Sequence, residues 1–281
     1  MTDPIPKNKV LTYELKAVNF AENSSNKIHS DEVARNYGFD GGLVPGIAVY
    51  AYMTHPVVER LGMDWLQGGT ISAKFIKPVY TRDMVLVQAK ETGSGVKEFE
   101  IQVTKADDTL CAVGSAGIGS NGANPPILSH YPRHPLPANQ DRKEACAANL
   151  PPGTLLGSLD FHMELDELES KVRNDYQDKL SLYRGPEAMC HPAYMLEQAN
   201  HILARNVDLG PWIHTRSEVQ NFFSPQAGEK FSIRGFVTGS YEKRGNELVD
   251  LDLAIFDSGE RGIAKIKHMA IIRLRPLSPS S

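Results

Sequence analysis

No run in this sequence approaches the roughly 18 to 20 apolar residues that a membrane helix needs, and the N-terminal MTDPIPKNKVLTYEL lacks a signal-peptide core. Cysteine is scarce. Cys111, Cys146 and Cys190 are odd in number and widely spaced, without a CxxC or Cys/His ligand set, which argues against a disulfide framework and a structural zinc site. Basic clusters are missing too: 30 Lys and Arg stand against 34 Asp and Glu, for a net charge of −4, so nucleic acid is not an expected partner. NGANPP and GSGVKE contain glycine, but neither is a GxGxxG or a GxxxxGK[ST], and no nucleotide phosphate loop is indicated. The expectation is a soluble, cytoplasmic protein that does not engage a membrane.

What the sequence does contain is an internal repeat. Gly38 and Gly185, Pro45 and Pro192, Trp65 and Trp212, Phe75 and Phe222, Pro78 and Pro225, and Glu100 and Glu247 are identical pairs, all separated by 147. In the first half, VPGIAVYAYMTHPVVERLG is too long and apolar for a strand and reads as a buried helix, which Pro56 is expected to end or kink near Thr54 or His55. Strand-like segments TISAKFIKPV, MVLVQAKE, VKEFEIQVTK and TLCAVGSAGI follow, separated by turn signals including Gly93-Ser94-Gly95.

The second half repeats the order, with a helix over HPAYMLEQANHILARNV and strands in WIHTRSEVQNFFSP, EKFSIRGFVTGSYEK, ELVDLDLAIFD and GIAKIKHMAIIRL. Between the halves, Pro125, Pro126, Pro132, Pro135, Pro137, Pro151 and Pro152 forbid regular structure. An antiparallel sheet around a helix, present twice, is the pattern of an α+β double hotdog. The expected organisation is residues 1–120, a Pro-rich linker 121–153, and residues 154–281. Such a chain already completes a two-hotdog unit, and a homodimer of chains is possible.

Chemistry is expected just ahead of the first helix, in NSSNKIHSDEVARNYGFDGGLVPGI. Ser30 is suited to cap a short helix with Asp31 and Glu32 in its first turn, stopping near Asn36 with Gly38 as a left-handed cap. His29 then stands beside a glycine-rich loop leading to the unpaired amides of the central helix.

Asn26-Lys27-Ile28-His29-Ser30-Asp31, with Ala34, Gly38-Phe39 and Pro45-Gly46, resembles the hydratase motif of the MaoC-like (R)-specific enoyl-CoA hydratase/dehydratase family. That pattern runs Asp-x-Asn-Pro-x-His-x-Asp, with His-Gly opening the central helix. Ser24 stands where the motif has its first Asp, Lys27 where it has Pro, and Pro45 where it has the His before the glycine. The resemblance implies one catalytic site per chain, acting on an acyl-CoA or acyl-carrier-protein thioester without a further cofactor. It implies His29 as general acid/base and the Gly46 amide as the donor to the developing enolate oxygen. Ser24 and Asn26 would sit on the water side, with Asp31, Val44 and Pro45 binding substrate.

Serine cannot act as a carboxylate at neutral pH, so the chemistry falls to His29 alone, to a carboxylate such as Glu22 or Asp40, or is absent. Each residue also has a plainer reading. His29 could be a half-buried histidine satisfied by a helix-end carbonyl, Gly46 a tight start to a crowded helix, and Asp31 and Asp178 helix-start residues. At the repeat offset, His29 corresponds to Tyr176, Ser24 to Lys171, Asn26 to Arg173, Asp31 to Asp178 and Gly46 to Ala193. The second half would then shape the acyl pocket. Tyr50, Tyr52, Met53, Tyr194 and Met195 on the two central helices read first as core, with some of them lining an acyl tunnel as the alternative, and His191, ahead of Pro192 at the second helix entry, could face a pocket. Two rivals to a hydro-lyase remain. One is a double-hotdog acyl-CoA thioesterase, for which Glu197, Gln198 and Asn200 are the nearest material, and the other is a non-catalytic acyl-thioester-binding protein.

Overall fold

The computed structural model describes residues 9–92, 98–118 and 123–275. The Gly93-Ser94-Gly95 turn and the boundary between residues 120 and 121 lie outside the described residues.

Strand β1 (Val10–Lys16) opens the first half, followed by helix α1 (Asp31–Arg35), the long helix α2 (Gly46–Leu61) and the short α3 (Met63–Leu66). Strands β2 (Gly69–Phe75), β3 (Met84–Thr92), β4 (Glu98–Lys105) and β5 (Leu110–Ile118) complete it. The connector carries β6 (Lys143–Glu144). The second half has β7 (Leu159–His162), α4 (Leu165–Asn174), the long α5 (Pro192–Asn206) and β8 (Val207–Asp208). It ends with β9 (Ile213–Asn221), β10 (Lys230–Lys243), β11 (Asn246–Asp257) and β12 (Gly262–Arg273).

Ten strands form one sheet in the order β1-β3-β4-β5-β2-β9-β12-β11-β10-β7. Each half contributes five strands in the same order, and the halves join edge to edge where β2 pairs antiparallel with β9. Alternation explains the inner face: Val85, Val87 and Ala89 of β3 and Phe99, Ile101 and Val103 of β4 are buried. Helix α2 is buried nearly all round, as its unbroken apolar sequence demands. Pro56 neither ends it nor interrupts it. The helix runs on to Leu61 and stops at Gly62, whose φ of +56° suits a residue without a side chain. An interior proline removes only one backbone bond, and a core on every side outweighs that loss.

The connector lies over the outer face of the second half, where Tyr131 sits against Phe236 and Phe256 and its hydroxyl donates to Asp252 at 2.7 Å.

Backbone pairing corrects the repeat register. The bridges Leu43–Tyr80 and Met189–Gln226 are equivalent, as are the bonds Val44 N to Val79 O and Cys190 N to Pro225 O, and all these positions differ by 146. The long helices likewise begin at Gly46 and Pro192. Pro45 therefore matches His191 as helix cap, and Gly46 matches Pro192 rather than Ala193.

Ahead of the helices the offset is different. A three-residue turn, Lys27–His29, has its counterpart in Ser181–Tyr183, and the central carbonyls, Ile28 O and Leu182 O, accept from Leu43 N and Met189 N. His29 thus corresponds to Tyr183, not Tyr176, and by the same register Ser24 corresponds to Asp178 and Asn26 to Leu180. The second half lacks a counterpart of α1, and this shorter connection is what a single constant offset conceals.

Candidate active site

His29 closes the Lys27–His29 turn, which Asn26 caps by accepting from Ile28 N. Ser30 then caps α1, and Gly38 follows with φ +84°, as the spacing predicts. The loop returns so tightly that a Cβ on Gly42 would lie 2.1 Å from His29 O, so only glycine fits. Asp31 belongs to this scaffold. Its carboxylate accepts from Gly42 N at 2.8 Å and pairs with Arg35, and it is not among the residues that line the cavity, where a substrate-binding residue is expected.

Half-buried His29 places Nδ1 2.7 Å from Leu43 O. A carbonyl can only accept, so Nδ1 carries the proton and Nε2 holds the lone pair. Burial lowers the His29 pKa, with the Leu43 bond working in the opposite direction, and the lowering wins. The imidazole is therefore neutral at pH 7. Asn26 Nδ2 lies 3.3 Å from Nε2 and donates to Trp212 O at 3.0 Å, while Asn26 Oδ1 accepts from Trp212 N. One side chain thereby fixes the His29 loop of the first half to the second. Ser24 spends its hydroxyl proton on Asn26 O at 3.3 Å.

These groups open on a cavity of about 390 Å³. His29, Ser24, Asn26, Val44, Pro45 and Gly46 all line it, together with an apolar wall that includes Phe20, Phe75, Val79 and Ile213. Pro45 offers no side-chain cap to α2, and no described protein group accepts from the Gly46 amide. Helix start and dipole leave that donor available to a partly negative oxygen. The Val44 amide is already spent on Val79 O.

Glu22 and Asp40 are not in the wall. Glu197 of α5 is the only carboxylate among the described residues that line the cavity, and it is held by Lys171 Nζ at 3.0 Å and the Tyr176 hydroxyl at 2.9 Å. Asn200 and His201 line the same stretch, whereas Gln198 turns back to Tyr194 O. His214, which has no acidic or cysteine partner at a telling spacing in the sequence, is buried in the wall beside Gly46. Spacing does not single it out, because Gly46 and Phe75 beside it come from the first half.

Asp178 is not a helix-start residue. It is buried between His55 and His191, accepting at 2.9 and 3.3 Å, and lies outside the cavity wall. Burial opposes its charge, but the bonds from His191 and His55 prevail and hold its pKa well below the ordinary carboxylate value. Tyr50, Tyr52, Met53, Tyr194 and Met195 are core and do not line the cavity either. Among the described residues no group of three or more His, Cys, Asp or Glu is placed to hold a metal ion, and no helix is long and apolar enough to cross a membrane.

No family model and no curated protein matches the sequence. Solved structures do match over nearly the whole chain. A protein described as a MaoC domain dehydratase from Chloroflexus aurantiacus J-10-fl superposes with a TM-score of 0.68 at 9% identity, covering 96% of each chain. A Mycobacterium tuberculosis protein described as having a double hotdog fold gives 0.63 at 11%, covering 95% of this chain and 96% of that one. An oleoyl thioesterase from Lactobacillus plantarum gives 0.52 at 12%, covering 95% and 97%. At these identities the likeness is one of fold: the chain is an α+β double hotdog.

Proposed function

We propose that this chain is a hydro-lyase that interconverts 2-enoyl and 3-hydroxyacyl thioesters of coenzyme A or of a carrier protein. The observation that carries the reading is the pairing of a neutral His29, its lone pair on Nε2, with the unpaired Gly46 amide in one cavity. In the hydration direction, a water that enters between Asn26 Nδ2 and His29 Nε2 takes over the amide proton aimed at the ring, gives a proton to the freed Nε2 lone pair, and its oxygen bonds to C3 of the enoyl group. The C2–C3 π electrons move toward the thioester carbonyl, whose oxygen becomes an enolate accepting from Gly46 N–H. The imidazolium then protonates C2, so water is added across the double bond and His29 returns neutral. No cofactor is invoked. The likeness in fold to proteins described as a dehydratase and as an oleoyl thioesterase supports a reading within this range of chemistry.

Thioester hydrolysis is the second reading, and one observation favours it: Glu197 brings a carboxylate from the second-half helix into the same cavity. Its engagement by Lys171 and Tyr176 weighs against a free base. The deciding experiment incubates wild type and His29→Ala with a panel of 2-enoyl and saturated acyl thioesters, on coenzyme A and on carrier protein, while following hydration and thiol release in parallel. Hydration lost with His29, without thiol release, is the expected result. Thiol release that survives His29→Ala would replace this reading with hydrolysis from the second half, and silence on both channels would leave a binding protein.

A further inference from the structure

His214 on β9 is buried in the cavity wall, and its ring Nδ1 has no hydrogen-bond partner. A Cβ built on Gly46 would lie 3.2 Å from this atom and 3.2 Å from Phe75 Cε2, so glycine is what leaves room between the helix start and the imidazole. Buried polar atoms are seldom left unpaired, because the lost hydrogen bond to water is not replaced. An orphaned ring nitrogen close beside Gly46, whose amide also lacks a partner among the described residues, calls for a ligand atom able to engage both.

The far side of the ring supplies the control. His214 Nε2 lies 2.8 Å from Ser217 Oγ, and Ser217 Oγ lies 3.0 Å from His268 Nδ1. The serine has one proton to give. When it donates to His214 Nε2 and accepts from His268 Nδ1–H, His214 must carry its proton on Nδ1, the ring nitrogen beside Gly46. The other end of the relay, His268 Nε2, is then a bare lone pair, and that atom is also buried without a partner. Burial lowers the pKa of both histidines, that of His268 to about 3, so the relay carries no net charge and only its hydrogen orientation can change.

We propose that His214 is a second donor to the thioester carbonyl oxygen, acting beside Gly46 N–H, with Ser217 and His268 as positioning residues that put its proton on Nδ1. A carbonyl oxygen arriving between the two donors selects that orientation of the relay, and donation strengthens as the oxygen gains enolate charge. The assignment rests on the acyl-thioester reading of the cavity, but not on whether hydration or hydrolysis follows.

The test uses butanoyl-pantetheine labelled with ¹³C at the carbonyl, a saturated thioester on the arm common to coenzyme A and carrier proteins, read by isotope-edited infrared difference spectroscopy before any thiol is released. Bound to wild type, the carbonyl stretch is expected to move to lower frequency than in water. His214→Phe, which fills the site without a donor, should return it toward higher frequency, and His214→Asn, which keeps an N–H near the same point, should recover part of the shift. Should the Phe variant fail to fold, His214→Asn and Ser217→Ala carry the test, the latter by weakening the shift while the imidazole stays in place. In turnover, His214→Phe should lower kcat by about 10²–10³ with a small change in KM. A shift in wild type that His214→Phe and Ser217→Ala both leave unchanged overturns the His214 assignment while the acyl-thioester reading stands. No bound carbonyl signal from wild type overturns both.

Discussion

Gly46 and Pro192 occupy the same position, the first residue of the two long helices that the sheet encloses, and only Gly46 has an amide to offer. The halves share one backbone plan, yet the donor needed to hold a developing oxyanion is present in the first and chemically impossible in the second. Replacing Gly46 by proline would make the first half like the second at this point. Proline is tolerated at the first helical position. Gly46→Pro is therefore expected to lower kcat by about 10²–10³ through loss of the amide. Gly46→Ala keeps the amide and requires only that Phe75 and His214 yield a few tenths of an ångström. Steady-state rates, with circular dichroism to check the helix, separate the two.

The acidity of His29 predicts the pH profile. Burial moves its pKa below the ordinary histidine value of about 6.5. Hydration needs the neutral ring, so kcat/KM should fall on an acid limb centred below pH 6.5. A limb centred at or above 6.5 would contradict the assignment of His29 as the base.

Asn26 makes its bonds to Trp212 across the two halves, and the ring nitrogen of His29 lies beside the same amide. Asn26→Ala should destabilise the chain by about 1–3 kcal/mol, since it removes several hydrogen bonds and strands the Trp212 backbone groups. It should also reduce turnover. Urea unfolding and a rate assay on one preparation measure both effects.

Asp178 ties His55 of α2 to His191 at the cap of α5, outside the cavity wall. Removing the carboxylate strands the ring N–H groups of His55 and His191, so Asp178→Ala should cost about 1–3 kcal/mol for each buried donor left unpaired. The carboxyl titrates below its unfolded value, and its contribution is therefore complete above about pH 4 and lost as pH falls toward the lowered folded value. Acid unfolding of wild type and variant, compared between pH 2 and 7, should show their stabilities converging at the acid end.

Tyr183, the counterpart of His29, is buried with its hydroxyl unpartnered. Tyr183→Phe removes a polar group that receives no hydrogen bond and should leave stability within about 1 kcal/mol or raise it. Turnover should be unchanged, because Tyr183 is not among the residues that line the cavity. A large loss of rate would require a role for Tyr183 in the reaction.

Much of the architecture is legible in the chain itself. The long apolar helices and the eight principal strands follow from hydrophobic period and turn residues, because local sterics and one-sided burial act on neighbouring residues. Ser30, Gly38 and the loop holding His29 are readable for the same reason. Strands β1 and β7 escaped notice because they are sheet-edge segments whose partners lie far along the chain, and α4 because its surface is largely polar.

The tertiary structure decided the rest. Identical residues 147 apart announced two similar halves, but equivalence in space is set by hydrogen bonds. The shorter connection in the second half shifts Tyr183 and Asp178, and not Tyr176 and Lys171, onto the positions of His29 and Ser24. Glu197 and His214 entered the cavity from the other half, which no spacing can encode. The sequence alone determined which local elements form and which chemical groups are present. Only packing of the halves decided which of those groups share one water-poor cavity, since burial and pairing are properties of the assembled core and not of any segment within it.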